Sequence, residues 1–146
     1  MTEALDALIV KEAMAWVGTP FVHGTSVKGS GCDCLGLIKG VYESVFARTA
    51  EALPVYPCDF WQDAGWHTLF LNRLRMVAGP SGTGPEAGRL LLFAKHGALT
   101  HLGIAVDAQS MIHTSADPRV GRVCHAPVRL VNGLRLWGVW SFRDND

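Results

Sequence analysis

Net charge is the first thing this sequence lacks: thirteen Lys and Arg residues balance thirteen Asp and Glu over 146 positions. No positive field draws the chain to nucleic acid or an anionic membrane, and no acidic run forms a solvating tail. Long apolar runs are missing too, none approaching the roughly 20 residues of a helical span, so no membrane insertion is expected. Cysteine is sparse and irregular, at Cys32, Cys34, Cys58 and Cys124. That spacing is unlike a small secreted disulfide scaffold, and reduced thiols are expected. The opening MTEALDALIVKEAMAWVG lacks the unbroken apolar block of a secretory signal, because Glu3, Asp6, Lys11 and Glu12 interrupt it. It is expected to be a helix, with no signal peptide. No repeat or low-complexity tract is visible, and the length suits one domain over residues 1–146.

What is present is a change of period. Leu5, Leu8, Ile9, Ala13 and Trp16 recur at helical offsets, predicting a helix from about Glu3 to Trp16 that stops at Gly18 before Pro20. A second helix is predicted from the cysteines onward, with Leu37, Ile38, Val41 and Val45 on one face. A third runs from about His67 to Val77, after a connection over 54–65. Residues 79–88, GPSGTGPEAG, read as a linker or exposed loop. Beyond them the stretches 89–95, 101–107, 110–115, 121–128 and 133–142 are short and rich in strand formers. Helices followed by strands predict an α+β fold, helices packed on a mostly antiparallel sheet of about five strands.

Chemistry concentrates in GSGCDCLGL, residues 29–37. Asp33 stands where an N-cap belongs, which makes Cys34 the first helical residue, on the same face as Leu37, Ile38 and Val41. Backbone N–H groups and the positive helix end there favour thiolate over thiol, while the Asp33 charge opposes it. Cys32 precedes the cap and has no such placement. A free cysteine is commonly just a small buried apolar residue; a nucleophile needs a histidine, itself oriented by a third polar group. His101 opens the strand HLGIAVD, sharing a face with Gly103 and Ala105, which leave room above the sheet. His113 lies twelve residues on. A hairpin with an odd loop centred on Asp107 would set the two histidines directly opposite. The bland alternative is one surface and one core histidine that never meet. His67, His96 and His125 are expected to be structural or exposed.

With these residues in view, GTPFVHGTSVKGSGCDCLGLIKGVY and HLGIAVDAQSMIH resemble the signature of the NlpC/p60 peptidases, papain-like cysteine enzymes that cut peptide bonds in bacterial peptidoglycan. The resemblance spans about residues 18–115. It implies Cys34 as nucleophile, His101 as general base and His113 as third polar residue, with Cys34, Phe21, His23 and Asp33 around the oxyanion and substrate. No metal and no cofactor is implied. The GCDCLGL form together with His23 is most similar to the phage and gene-transfer-agent branch of that family. This implies a virion-borne tail-tip component made in the cytoplasm, with a tail protein and the peptidoglycan stem peptide as partners. The bond implied is that between D-glutamate and the diamino acid.

Two departures stand out. Phe21 replaces the family's usual tyrosine and offers no hydroxyl to an oxyanion, which motivates a catalytically weak or inactive tail-tip module as the alternative. Gly88-Arg89 replaces a glycine-aspartate pair and reads as a surface change. A zinc site built from Cys32, Cys34, His101 and His113 is a poorer rival, because C-x-C is not the usual clip. A Cys32–Cys34 disulfide would close a strained ring.

Overall fold

The computed structural model describes residues 3–56, 64–130 and 133–143. Cys58 and Trp61, and the middle of the expected connection over 54–65, lie outside the described residues. Helix α1 is Glu3–Ala15, α2 is Cys34–Phe46 and α3 is Ala64–Arg75. A small hairpin, β1 (Ser26–Val27) and β2 (Gly31–Cys32), precedes α2. The main sheet comprises β3 (Ala78–Pro80), β4 (Leu90–Lys95), β5 (Ala98–Ala105), β6 (Ser110–Thr114), β7 (Val123–Pro127) and β8 (Arg135–Phe142). Its order is β3-β8-β4-β5-β6-β7, antiparallel throughout.

This is the α+β architecture the period change predicts, with more strand than expected. The linker reading of 79–88 is corrected at its start: Ala78–Pro80 pairs with the end of β8. A three-residue edge strand containing Gly and Pro has no alternation to reveal it. The hairpin β1–β2 went unread because two-residue strands carry no period. Strand β5 begins three residues earlier than HLGIAVD, at Ala98, after a tight turn in which His96 and Gly97 both adopt positive φ.

The first five residues of β4, LLLFA, are all buried, because both faces of the sheet are covered there. Leu90 and Leu92 join Leu102, Ile104 and Ile112 under the helices. Leu91 and Phe93 pack with Ala105 and Met111 on the opposite face, beneath Val128, Leu134 and Val139. In α1 the buried residues are Ile9 and Ala13, continued by Trp16 just past its end, while Leu8 turns out to solvent. Trp140 is buried, Trp66 half-buried, and Trp137 is 45% exposed.

Arg89 corrects the surface reading of Gly88-Arg89. Its guanidinium bonds Asp6 of α1 at 2.9 Å, and its side chain is only 12% exposed, so the pair ties the first helix to the start of the interior strand β4.

Glycine sets how closely α2 approaches its neighbours. A Cβ on Gly40 would fall 2.1 Å from the Trp16 ring, and one on Gly36 would fall 1.9 Å from the Thr25 carbonyl oxygen. The Thr25–Ser26 backbone therefore lies directly against the first turn of α2, where the Ser26 hydroxyl donates to the Gly36 carbonyl at 2.6 Å. Replacing Gly36 by Ala is expected to destabilise the fold by at least about 2 kcal/mol through overpacking, whereas Gly82→Ala, with nothing within 4 Å, serves as the neutral control. Urea unfolding of the two variants checks this.

Candidate active site

Asp33 adopts extended backbone (φ −104, ψ −172) and caps α2, so Cys34 is its first helical residue. Both carboxylate oxygens are occupied. Oδ1 accepts the Gly36 N–H at 2.8 Å, and Oδ2 accepts the Gly24 N–H at 2.7 Å together with the Tyr56 hydroxyl. The carboxylate thus joins three segments: the helix start, the upstream loop and the chain returning after α2. Tyr56 was not singled out by sequence; it follows a proline-rich connection, and only the fold brings it back over the cap.

The upstream loop runs beside Cys32, with Phe21 bridged to it in parallel, the Cys32 N–H donating to the Pro20 carbonyl and the Val22 N–H to the Cys32 carbonyl. Phe21 is half-buried there. His23 Nε2 donates to the Tyr56 carbonyl at 2.7 Å, and its ring stands edge-on to the Tyr56 ring. That nitrogen is committed within the loop.

Cys34 is buried under the sheet. The backbone N–H and C=O of Ala105 both point to β4, by way of Arg89 and Gly88. Alternation therefore turns the Leu102 N–H the other way, toward β6. The β5–β6 ladder pairs only Ile104 with Ile112 and Ala105 with Met111. Past its end the Leu102 N–H faces the Cys34 sulfur and favours its ionised form. The thiol thus sits on the residue that follows His101.

His101 Nε2 and His113 Nδ1 are 2.8 Å apart, their rings nearly perpendicular. The two meet, though not directly across the ladder as a loop centred on Asp107 would place them. The Asp107 carboxylate instead accepts the Gln109 and Ser110 N–H groups, and the turn centres on Ala108. Continuing the register sets Gly103 opposite His113 and leaves His101 diagonal to it, within reach of long side chains on one face. Gly103 makes this possible: a Cβ there would be 2.9 Å from the Met111 sulfur and 3.6 Å from the His113 Cβ. His101 also packs on Phe93, its partner in β4.

Among the described residues no hydrogen bond joins Cys34 to His101. His113 holds Nε2 of His101, which leaves Nδ1 as the nitrogen available for proton exchange. Other histidines do structural work. His67 Nδ1 accepts the Leu99 N–H at 2.7 Å, and His125 Nε2 bonds the Ser110 hydroxyl at 2.9 Å. Among the described residues no three His, Cys, Asp or Glu side chains gather as metal ligands, and Cys32, Cys34 and Cys124 are free thiols.

Of the two opposing influences on Cys34, burial and the Asp33 charge outweigh the helix end. Burial pushes the Cys34 thiol well above the usual range and the Asp33 charge adds to this; the N–H groups of Leu102, Leu35 and Cys34 itself pull the other way and lose. Burial pushes the Cys32 thiol up to about 12. Burial, and then the proximity of His113, push His101 down, and burial lowers His113 as well. At neutral pH these shifts favour a neutral thiol and two neutral imidazoles.

That neutrality makes stability depend on pH. Histidines in the unfolded chain take up protons near pH 6.5, while the folded pair resists until lower pH. Unfolding therefore binds protons, and stability falls as pH falls below about 6.5. The wild type is expected to lose stability between pH 6.5 and 5 at up to about 1 kcal/mol per pH unit for each of the two histidines. A His101→Gln/His113→Gln variant should lose much less, as thermal melts across that window would show.

The NlpC/P60 family model matches residues 18–129 of the chain. No curated protein sequence matches it. Among solved structures the chain is similar to the NlpC/p60 domain of the peptidoglycan hydrolase SagA, with 24% identity and a TM-score of 0.59, covering 93% of this chain and 97% of that one. It is similar to a Staphylococcus aureus subsp. aureus Mu50 protein described as similar to a lipoprotein of the NLP/P60 family (19%, 0.65), spanning 99% of this chain but 43% of that one. The peptidoglycan hydrolase RipB of Mycobacterium tuberculosis gives 18% and 0.55, with coverage of 100% and 69%. At these identities the likeness is one of fold.

Proposed function

The chain belongs to the NlpC/P60 family, and from that premise we propose that it is a cysteine peptidase that hydrolyses a peptide bond in bacterial cell-wall peptidoglycan. The observation that carries this reading is the pair His101–His113, Nε2 to Nδ1 at 2.8 Å, in a chain whose Cys34 opens α2 directly behind the Asp33 cap.

In this mechanism His101 carries its hydrogen on Nε2, donating to His113 Nδ1, and keeps a lone pair on Nδ1. Because the resting thiol and imidazole are both neutral, the proton passes from Cys34 to His101 as the sulfur attacks the amide carbon. The new oxyanion is met by the backbone N–H of Cys34 at the positive start of α2. Imidazolium His101, stabilised by His113, protonates the departing amine, leaving an acyl-enzyme. Neutral His101 then takes a proton from water, the hydroxide displaces the sulfur, and the thiol is restored.

The bond we assign is that between D-glutamate and the diamino acid of the stem peptide, and the setting is a phage-like tail tip bound to a tail protein. The bond rests on the resemblance to the family as a whole, and the tail setting on the resemblance of GCDCLGL and His23 to the phage branch together with the interrupted apolar block at the start of the sequence. A purified particle preparation lacking the protein would sink the tail assignment. The second reading, a tail-tip module of the same fold with little or no activity, draws on Phe21 alone.

Incubation with purified peptidoglycan, with fragments identified by mass, separates these. Cleavage is expected from wild type and from Cys32→Ala and should vanish in Cys34→Ala, the new termini naming the bond. Intact peptidoglycan after wild-type treatment favours the inactive module. In His113→Ala, kcat is expected to fall by about 10²–10⁴, as for loss of a base's orienting partner, with little change in KM. Steady-state kinetics on the released peptide would check this, and an unchanged kcat would remove His113 from the machinery.

A further inference from the structure

Tyr56 is one of only two tyrosines in the chain, and it is the one whose hydroxyl reaches the residue beside the thiol. Its ring is buried, edge-on to His23 at 4.7 Å, to Phe70 at 5.2 Å and to Trp66 at 6.4 Å. Its carbonyl accepts from His23 and its hydroxyl donates to Asp33 Oδ2. Both ends of the residue therefore hold the loop that carries Phe21. With its hydroxyl given to Asp33, Tyr56 is not an oxyanion donor standing in for the tyrosine absent at Phe21.

We propose that Tyr56 is a positioning residue for Cys34, acting through Asp33: its hydroxyl fixes the carboxylate in the cap, aimed away from the sulfur, and so sets how readily Cys34 reacts. This rests on the assignment of Cys34 as nucleophile. Asp33 is 4% exposed and contiguous with Cys34, so its charge acts on the sulfur through little water. Three donors absorb that charge: the Gly36 N–H, the Gly24 N–H and the Tyr56 O–H. Among the described residues Tyr56 supplies the one side-chain donor, and without it Oδ2 keeps only Gly24. The titratable groups on the neighbouring elements are, among the described residues, Cys32 in β2 and the imidazoles of His101 and His113 on β5 and β6. His23 is engaged with the Tyr56 carbonyl.

The test is Tyr56→Phe, which keeps the ring contacts and removes only the hydroxyl. Cys34 labelling by iodoacetamide, followed at that one peptide from pH 6 to 11, is expected to be about tenfold slower at a given pH, as for loss of a hydrogen bond to a charged group. Its midpoint should move to higher pH, and kcat on peptidoglycan should fall with KM little changed. Adding Tyr56→Phe to Asp33→Asn should move the labelling midpoint no further. An unchanged labelling profile in a Tyr56→Phe protein that melts like wild type overturns the proposal, whether or not Asp33→Asn folds. Slower labelling in a chain that never cleaves peptidoglycan would leave Tyr56 in this role and remove the peptidase reading; cleavage with unchanged labelling would do the reverse.

Discussion

A buried carboxylate must be surrounded by donors, because leaving it unpaired costs several kcal/mol. Asp33 meets that requirement with groups from three parts of the chain, and each donor it recruits places a segment of the site. The Gly36 N–H starts α2 at Cys34. The Gly24 N–H draws in the upstream loop, which then lies along Cys32 and against the first turn of the helix. The Tyr56 hydroxyl brings back the segment that leaves α2. The same charge that assembles the site also opposes ionisation of its thiol. Assembly and reactivity are thus in tension at one carboxylate, and the number of donors around it decides the balance.

The histidine pair obeys a similar economy. Two imidazoles in a closed site resist protonation, since a charge on either would be poorly solvated, and the thiol beside them stays neutral for the same reason. A site of this kind does not store a preformed ion pair. In the proposed mechanism the groups are held in place and the proton moves only when a substrate carbonyl arrives to take the negative charge.

Much of this was legible in the residues. Asp33 as cap and Cys34 as first helical residue follow from one acidic residue ahead of an apolar period of three and four, and that pattern carries its own geometry. The even separation of His101 and His113 is enough to put them on one face. Their diagonal placement was not legible, because it depends on the Asp107 turn gathering the N–H groups of Gln109 and Ser110 and so centring the loop one residue later. The burial of the thiol, which outweighs the helix end, is a property of packing and has no sequence period. Nor has Tyr56, whose partner lies 23 residues earlier. Arg89 looked like surface because its counter-charge, Asp6, is 83 residues away.

Phe21 is then less of a defect than its place in the loop suggests. Oxyanion stabilisation at the start of a helix can be supplied by backbone N–H groups, which need no particular side chain. What the loop does require is anchoring. Phe21 gains this from its backbone, the N–H donating to the Gly121 carbonyl at 2.8 Å and the strand-like bridge to Cys32 beside it. The aromatic ring can stay half-buried while hydroxyl chemistry enters from the other side through Tyr56. In the proposed mechanism a hydroxyl at position 21 would add a donor to the oxyanion, whereas the hydroxyl at position 56 acts on the Asp33 carboxylate, to which it donates.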